Sequence, residues 1–298
     1  YKSDQILIVS TGIYKKSGVI LFLIKSIIKF FAFKRKDFEF WIFFKECFRT
    51  TSFKIAKRYK IQVITADNFN LNHTKYISLF SKLKADYCFS IVWPFLIPKD
   101  ILDCFKYRYN YHNSLLPSYK GVYSTHWSFY KRENFTGFSF HHITKYLDSG
   151  EVVYRNEIPV HQHMSVFQAE WKKTNLAANE MKQIFDKCLN NKNNKIIQSV
   201  TRKIENSYFA FKDYYEIVSI FEPQKLSADE IIHRCRCFGY ISLTVNGILI
   251  KNIHTVLKID NKSKRNTNRD ILQTNCGNYV VFKYDKIKTF IDKLRNNY

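Results

Sequence analysis

The sequence predicts an α/β fold with a mostly parallel sheet, followed by a small C-terminal α/β or β-rich unit. Short apolar runs at Gln5–Ser10, Ile61–Thr65 and Asp86–Val92 indicate buried strands, and residues 73–84 carry a helical pattern between the second and third runs. Strands that alternate with helices at this spacing are typical of parallel sheets. We therefore expect functional residues at the carboxyl ends of these strands.

The N-terminal region after the first strand predicts a basic amphipathic helix. Apolar residues of Val19–Phe48 are interrupted by Lys25 and Lys29, which makes the run Val19–Phe33 a poor membrane span. Such a helix packs on a sheet with its lysines solvated. Binding of the same run to a membrane surface is the alternative.

After residue 150 the pattern predicts a strand at Glu151–Val160 and one long helix at Ser165–Leu189. An irregular aromatic linker is predicted at Asn206–Pro223. We place a main domain at residues 1–205 and a linker with a small subdomain at residues 206–298.

The small subdomain has clear start and turn signals. Ser227 and Glu230 form the pattern of a capping box at the start of a helix. Asn246-Gly247 predicts a hairpin turn within the β-structure of Ile241–Ile253, and a further strand is expected at Tyr279–Tyr284.

Charge and cysteine usage limit the class of protein. Lys and Arg outnumber Asp and Glu by 48 to 25, a net charge of +23, which favours anionic partners such as nucleic acid or phosphorylated small molecules unless it is background composition. Seven cysteines without a C-x-x-C pair suggest neither a disulfide framework nor a zinc ribbon. Reduced thiols favour a cytoplasmic protein. His161 and His163 lack an evident third ligand, so no metal site is predicted.

One stretch, Tyr109 to Gly150, contains several spaced motifs. They are N-Y-H at Asn110–His112, S-L-L-P-S-Y-K-G at Ser114–Gly121, Trp127, T-G-F-S-F-H at Thr136–His141, and D-S-G at Asp148–Gly150. Asn110 and His112 are two residues apart on an extended segment, so their side chains leave the same face. An amide donor, an imidazole and a carboxylate together suit acyl transfer, because they can stabilise an oxyanion and move a proton.

These motifs together resemble the formyltransferase family that uses 10-formyltetrahydrofolate. Its members act on methionyl-tRNA, glycinamide ribonucleotide or amino-sugar nucleotides. The resemblance implies a Rossmann-like catalytic domain in which Asn110 polarises the formyl oxygen, His112 is the acid/base, and Asp148 orients His112 or a proton-relay water. The chain departs from the family pattern at Lys120, Ser124 and Ser139, where Arg, Pro and Thr are usual.

The resemblance also implies binding residues. The folate cosubstrate is expected at an apolar wall formed by Trp93, Phe95, Leu96, Ile97 and Leu147. The acceptor is expected near Lys120, Tyr208 and Phe209, and His141 is expected to give structural support.

The identity of the acceptor stays open at this point. An amino-sugar nucleotide is the favoured acceptor, with a cytoplasmic enzyme that forms a homodimer as the expected context. Methionyl-tRNA is the alternative, because the net charge of +23 and the C-terminal unit suit RNA. A noncatalytic nucleic-acid-binding protein on the same fold is the second alternative.

Overall fold

A computed structural model describes the chain at residues 7–10, 58–65, 71, 74–91, 93, 95–190, 197–198, 204–259, 271–274 and 279–284. The helix predicted at residues 19–48 lies outside these ranges. The chain divides into two compact units. Unit 1 comprises residues 1–111 and 141–145, and unit 2 comprises residues 112–140 and 146–298. The domain boundary at residue 205 stays a prediction.

Unit 1 consists of parallel strand pairs and short helices. The pairs are β1 (Leu7–Ser10) with β2 (Gln62–Thr65), and β3 (Tyr87–Ile91) with β4 (Tyr107–His112). The helices are α1 (Thr74–Leu83) and α2 (Lys99–Leu102). A small core contains Leu71, Tyr76, Phe80, Ile101 and Phe105. Parallel strands with intervening helices confirm the predicted α/β class.

Cross-strand aromatic pairs stabilise the register of β3 and β4. Tyr87 stacks on Tyr107 with ring centroids 4.8 Å apart, and Phe89 stacks on Tyr109 at 5.4 Å. Each pair consists of directly opposed residues in the parallel register. Such pairs stabilise a sheet beyond the backbone hydrogen bonds. The two pairs therefore also hold the backbone of Asn110, which follows Tyr109 on β4, in a fixed position.

Unit 2 begins with the region around the motifs. Its first elements are β5 (Lys120–Gly121), α3 (Ser124–Tyr130), β6 (Phe135–His142), β7 (Val152–Pro159), α4 (Val166–Asn179), α5 (Met181–Asn190) and β8 (Ile197–Gln198). β6 neighbours β7, and β7 pairs in parallel with β8. The strand predicted at Glu151–Val160 is confirmed as β7.

The single long helix predicted at Ser165–Leu189 is wrong, because the chain forms two helices that meet at Glu180. The backbone of Glu180 leaves the helical region, with φ −92° and ψ 0°. Its carboxylate accepts a hydrogen bond from the Asn156 side chain on β7 at 2.7 Å. That polar contact to the sheet ties down the junction, and a periodicity argument cannot detect it.

The irregular linker predicted at Asn206–Pro223 is also wrong. This stretch forms β9 (Tyr208–Phe209), α6 (Phe211–Val218) and β10 (Ser219–Ile220). Asp213 starts α6 by accepting the N–H of Ala210 at 2.6 Å. Val218 is buried, and Tyr214 packs against the same core. The helix was missed because Ala210 is a poor N-cap and aromatic residues are weak helix formers.

The start of α7 (Ala228–Phe238) confirms the predicted N-cap but not the full capping box. Ser227 accepts the N–H of Glu230 at 3.1 Å. The Glu230 carboxylate pairs instead with Arg234 at 2.6 Å and accepts the hydroxyl of Tyr130 at 2.8 Å. The Glu230 side chain therefore links α7 to α3 rather than returning to its own N-cap.

A second sheet completes unit 2. Its strand order is β10, β11 (Ile241–Val245), β12 (Ile248–Ile259), β14 (Tyr279–Tyr284) and β13 (Ile271–Gln273). The predicted hairpin turn at Asn246–Gly247 is confirmed: the two residues have φ of 50° and 77°, as type I′ turns require, and join the antiparallel strands β11 and β12. A single hydrophobic core contains residues of α7, of this sheet and of the motif region. Its large buried members include Trp127, Ile231, Phe238, Leu243 and Ile253.

Among the helices that the structure describes, none has the length and apolar character that crossing a membrane requires.

Two glycines of unit 2 allow a test of how closely β6 packs. A Cβ at Gly137 would lie 2.2 Å from the carbonyl oxygen of Asn156 and 2.4 Å from Leu115, whereas a Cβ at Gly239 would meet nothing within 4 Å. Gly239 has φ of 78° and ψ of −44°, outside the left-handed helical region, so alanine there adds backbone strain of about 1–2 kcal/mol but no steric clash. We expect Gly137→Ala to lower the free energy of unfolding by about 3 kcal/mol, because a packed neighbour must move. Urea denaturation of both variants measures this, and an equal or larger loss for Gly239→Ala would contradict it.

Candidate active site

The carboxyl end of β4 carries the first two predicted catalytic residues. Asn110 and His112 are both on this strand, two positions apart, so their side chains share one face. Asn110 is half-buried and His112 is buried. Ser90 on β3 lies opposite Asn110 in the parallel register. The position matches the expectation that sites gather where parallel strands end.

The side chain of Asn110 is held by His141 within unit 1. Nδ2 of Asn110 lies 3.1 Å from Nε2 of His141, and Nδ1 of His141 lies 2.9 Å from the carbonyl oxygen of His142. A carbonyl only accepts, so Nδ1 carries the proton and Nε2 accepts from the Asn110 amide. One N–H of that amide is thereby used to orient it. The second N–H is the donor that its predicted role requires.

The imidazole of His112 lies between two oxygen atoms. Its Nε2 is 2.8 Å from the carbonyl oxygen of Tyr119, and its Nδ1 is 3.4 Å from Oδ2 of Asp148. The Tyr119 carbonyl only accepts, so Nε2 of His112 carries a proton, and Nδ1 is the nitrogen that faces the Asp148 carboxyl group. Both residues are buried, with only 7% of each exposed, so Asp148 is placed to stabilise a positive charge whenever Nδ1 of His112 takes up a proton.

Oδ2 of Asp148 has a second partner, the backbone N–H of Gly121, at 2.9 Å. Asp148 lies in the left-handed region with φ of 48°, which Asp and Asn adopt more readily than most residues. Gly121 has φ of 90°, and a Cβ there would lie 2.1 Å from the carbonyl oxygen of Phe209. Glycine is therefore required at this position by both conformation and space.

The loop between His112 and Gly121 is stabilised by serine hydroxyls. The Ser114 hydroxyl donates to the carbonyl of Ser118 at 2.6 Å. The Ser139 hydroxyl donates to the carbonyl of Ser114 at 2.7 Å and accepts the N–H of Leu116 at 3.0 Å. Ser114 thus shapes the turn, and Ser139 retains the hydroxyl of the usual Thr.

Tyr119 holds the carbonyl that contacts His112. Its φ is 57°, a strained value for a residue other than glycine. Three contacts hold it there. Its N–H donates to Oγ of Ser207 at 2.8 Å, its hydroxyl donates to Glu133 at 2.6 Å, and its ring stacks on Phe209 with centroids 5.8 Å apart. Burial and the hydrogen bond to Glu133 raise the pKa of the Tyr119 hydroxyl, so it stays protonated and neutral.

Asn113, the residue that follows His112, belongs to a polar cluster. The cluster consists of Asn113, Ser124, Thr125, Thr136, Glu170 and Lys173, which are joined by hydrogen bonds. Burial lowers the pKa of Lys173 in this cluster to about 7, against the opposing charge of Glu170. Burial likewise raises the pKa of the Glu170 carboxyl, against the Lys173 charge. Burial and the Lys173 charge lower the pKa of His126 to about 4. These shifts make His126 a neutral ring at pH 7.

The residues predicted to bind folate differ in exposure. In unit 1, Phe95 and Leu96 are 53% and 78% exposed, and Ile97 packs against the core. Nε1 of Trp93 is buried without a hydrogen-bond partner in the part of the chain that the structure describes. In unit 2, Leu147 is 43% exposed. Their role in binding folate stays a prediction.

The residues predicted to bind the acceptor lie on the short β5–β9 pair. Lys120 is opposite Tyr208 in this parallel pair, and Nζ of Lys120 donates to Oγ of Ser149 at 3.2 Å. Tyr208 is 55% exposed. Phe209 is half-buried and stacks on Trp127 with ring centroids 4.2 Å apart. Lys120 is half-buried, Tyr208 is exposed, and Phe209 packs against the core of unit 2; their role in binding the acceptor stays a prediction.

Sequence reasoning missed two backbone groups and one buried side chain. The Tyr119 carbonyl and the Gly121 N–H cannot be read from side-chain chemistry. Lys173 has a signal in the sequence, because it lies between Ala169 and Ala177 at a spacing of four. The structure shows all three residues buried on one face of α4. A lysine in the centre of a stripe with a spacing of four is an anomaly for an amphipathic helix.

The sequence was compared with known families and proteins. Residues 45–185 match the family model described as formyl transferase, and the matched range includes Asn110, His112 and Asp148. Over 110 residues the chain is 34% identical to the bifunctional polymyxin resistance protein ArnA of Wigglesworthia glossinidia brevipalpis, which covers 37% of this chain and 16% of that protein. Over 142 residues it is 28% identical to the methionyl-tRNA formyltransferase of Prochlorococcus marinus strain MIT 9515, which covers 47% of this chain and 43% of that protein. The matched stretch thus spans less than half the length of either relative.

A similar solved structure is the N-formyltransferase from Helicobacter canadensis in complex with folinic acid and dTDP-3-aminofucose. The TM-score is 0.52 at 17% identity, and the match covers 94% of this chain and 98% of that chain. At this identity the likeness establishes the fold, so the predicted formyltransferase-type α/β architecture is confirmed. Residues 45–185 are therefore similar to the formyl transferase family, over a match that spans less than half of the chain.

Proposed function

We propose that this chain transfers a formyl group from 10-formyltetrahydrofolate to the primary amine of a nucleotide-linked amino sugar. The observation that carries the proposal is the buried contact of His112 with Asp148, at 3.4 Å; His112 lies on β4, the strand that also carries Asn110. An amide donor, an imidazole and a carboxylate are the groups that formyl transfer needs. A homodimer and a cytoplasmic location, both expected from the sequence, are part of the same proposal.

The reaction forms one C–N bond and breaks another. The acceptor amine attacks the formyl carbon, and the formyl oxygen becomes an oxyanion, for which the second N–H of Asn110 is the donor. One proton must then move from the amine nitrogen to the departing folate nitrogen. The Nε2 side of His112 is closed by the Tyr119 carbonyl at 2.8 Å, so the mobile proton is held at Nδ1, beside Asp148. Asp148 keeps that proton transfer close to neutral in energy by stabilising the imidazolium.

The folate assignment has support in unit 1. Phe95 and Leu96 are exposed apolar side chains at the carboxyl end of β3. The nearby indole N–H of Trp93 is buried without an acceptor among the described residues. A buried donor without a partner costs about 1–3 kcal/mol, and a ring with both apolar surface and acceptor atoms would remove that cost. A pterin has both properties.

The acceptor assignment has two competing lines of support. The Helicobacter canadensis structure that shares the fold contains dTDP-3-aminofucose, and the exposed ring of Tyr208 suits stacking on a nucleotide base. Methionyl-tRNA is the second candidate, because a methionyl-tRNA formyltransferase is among the relatives and the net charge of +23 suits RNA. The intact pair of His112 and Asp148 disfavours a noncatalytic nucleic-acid-binding protein.

The first test replaces His112 by Ala and Asp148 by Asn. Asparagine keeps the left-handed backbone preference and an oxygen for the Gly121 N–H, but removes the charge beside His112. We expect kcat to fall by about 10²- to 10⁴-fold in both variants with little change in the urea midpoint. Asp186→Asn, an exposed carboxylate on α5, serves as the control and should retain the wild-type rate. Turnover close to wild type in either site variant would refute the assigned roles.

The second test supplies different acceptors to the purified protein. We expect release of tetrahydrofolate from 10-formyltetrahydrofolate when a dTDP-linked 3-amino or 4-amino deoxysugar is present, with a product heavier by one formyl group in mass spectrometry. Formylation of methionyl-tRNA alone would establish the second candidate instead. RNA binding without any turnover would support the noncatalytic alternative.

The third test concerns the ring of Tyr208. Loss of base stacking costs about 1–3 kcal/mol, so Tyr208→Ala should raise KM for the amino-sugar nucleotide about tenfold and leave KM for the folate unchanged. The matched control is Tyr215→Ala, which removes a ring of similar exposure, 61%, from α6. Equal KM values in wild type and Tyr208→Ala would exclude a stacking role.

A further inference from the structure

The peptide group between Asn113 and Ser114, next along the chain from His112, is held from two sides. The carbonyl oxygen of Asn113 accepts hydrogen bonds from Oγ of Ser124 at 3.0 Å and from Nζ of Lys173 at 2.9 Å. Both lone pairs of that carbonyl are therefore used. This peptide bond is one residue from the imidazole, so its orientation limits where the His112 side chain can lie.

The side chain of Asn113 is held as well. Its Nδ2 donates to Oγ1 of Thr125 at 3.1 Å and to Oε1 of Glu170 at 3.4 Å. Asn113 thus connects the end of β4 to the start of α3 and to α4. Hydrogen bonds that surround one residue in this way fix its position more strongly than any single contact does.

Lys173 is the charged centre of this cluster. It is fully buried, with 0% of its surface exposed. Its Nζ donates to Thr125 Oγ1 at 2.7 Å and lies 3.5 Å from Thr136 Oγ1, in addition to the Asn113 carbonyl. Three oxygens therefore lie within hydrogen-bonding reach of Nζ. The titratable groups around it are Glu170 on α4 and His126 on α3.

Burial of this charge is costly, which argues against a simple packing role. An apolar residue of similar volume would fill the same space without a desolvation penalty, and buried ion pairs are on average no more stabilising than such a replacement. What an apolar residue cannot supply is the hydrogen bond to the Asn113 carbonyl. The polar cluster therefore fixes a backbone position rather than filling a core.

We propose that Lys173 is a positioning residue for His112 that acts through the Asn113 carbonyl. The proposal rests on the formyl transfer proposed above, because it assigns His112 its chemistry. Displacement of a reacting group by about 1 Å can cost about 10²-fold in rate, so loss of this anchor lowers turnover although Lys173 does not touch the substrate.

The experiment compares three variants. Lys173→Met removes the anchor, and Glu170→Gln/Lys173→Met removes it together with the negative charge of the neighbouring half-buried carboxylate. Thr136→Val is the matched control, because Thr136 is also buried and contacts Nζ, but its loss leaves the bond to Asn113 intact. With 10-formyltetrahydrofolate and dTDP-3-aminofucose, we expect kcat to fall at least about tenfold in both Lys173 variants, with KM values within about twofold of wild type. Thr136→Val should retain kcat within about twofold.

A second readout does not depend on activity. In ¹⁵N-histidine NMR, with His112 assigned by its loss in His112→Asn, the ring signals of His112 should shift in Glu170→Gln/Lys173→Met and stay in place in Thr136→Val. The signals of His141, which lies in unit 1, should stay unchanged in both variants. If the wild type formylates no acceptor, the proposed function fails, and the His112 signals still decide the positioning role.

Two results would overturn the proposal. One is a loss of kcat that follows the loss of stability equally in Thr136→Val and the Lys173 variants. The other is a set of His112 signals that does not change in the double variant. If neither Lys173 variant folds, Ser124→Ala removes the other donor to the same carbonyl, and unchanged kcat and unchanged His112 signals in Ser124→Ala would likewise refute the role of that carbonyl.

Discussion

One carboxylate oxygen organises the candidate site. Oδ2 of Asp148 lies 3.4 Å from Nδ1 of His112 and accepts the N–H of Gly121 at 2.9 Å. A buried carboxylate without such partners would lose several kcal/mol of solvation, so its position is determined by the two groups that replace water. The imidazole gains a charge partner, and the loop at Gly121 gains a fixed end. Because both groups meet at the same atom, a shift of the loop at Gly121 changes the environment of His112.

The loop that contains Gly121 is in turn held by residues 207–209, which come much later in the sequence. The N–H of Lys120 donates to the Ser207 carbonyl at 2.9 Å, and the N–H of Val122 donates to the Phe209 carbonyl at 2.9 Å. These bonds form the parallel β5–β9 pair, which needs the close approach that only glycine at residue 121 allows. Residues 207–209 therefore serve the site even where they do not touch a substrate. Their predicted role in binding the acceptor and their structural role arise from the same strand.

The sequence predicted those parts of the fold that local patterns encode. The strands β1, β2, β3 and β7, the N-cap at Ser227 and the hairpin turn at Asn246–Gly247 follow from apolar runs and turn chemistry within a few residues. The failures have non-local causes. The break at Glu180 depends on a side-chain contact to Asn156, 24 residues away. Similarly, the spacing of Asn110 and His112 could be read directly, whereas the contact of His112 with the Tyr119 carbonyl depends on a strained backbone that no residue type announces.

Lys173 is another non-local determinant of the candidate site, although it lies farther from the reacting groups than Asp148 and Gly121 do. A site that moves a proton needs its imidazole held to within a fraction of an ångström, and a loop rich in serine and tyrosine does not provide that rigidity alone. Helices and strands provide that rigidity, and α4 contacts the loop through its side chains. A short residue at position 173 could not span the gap to the Asn113 carbonyl, and an apolar one could not bond it. Lysine satisfies both requirements at the cost of desolvation, and burial lowers its pKa to about 7 as the expression of that cost. Desolvation of Lys173 lowers the stability of the fold, but its hydrogen bond holds the Asn113 carbonyl, close to His112, in a defined position.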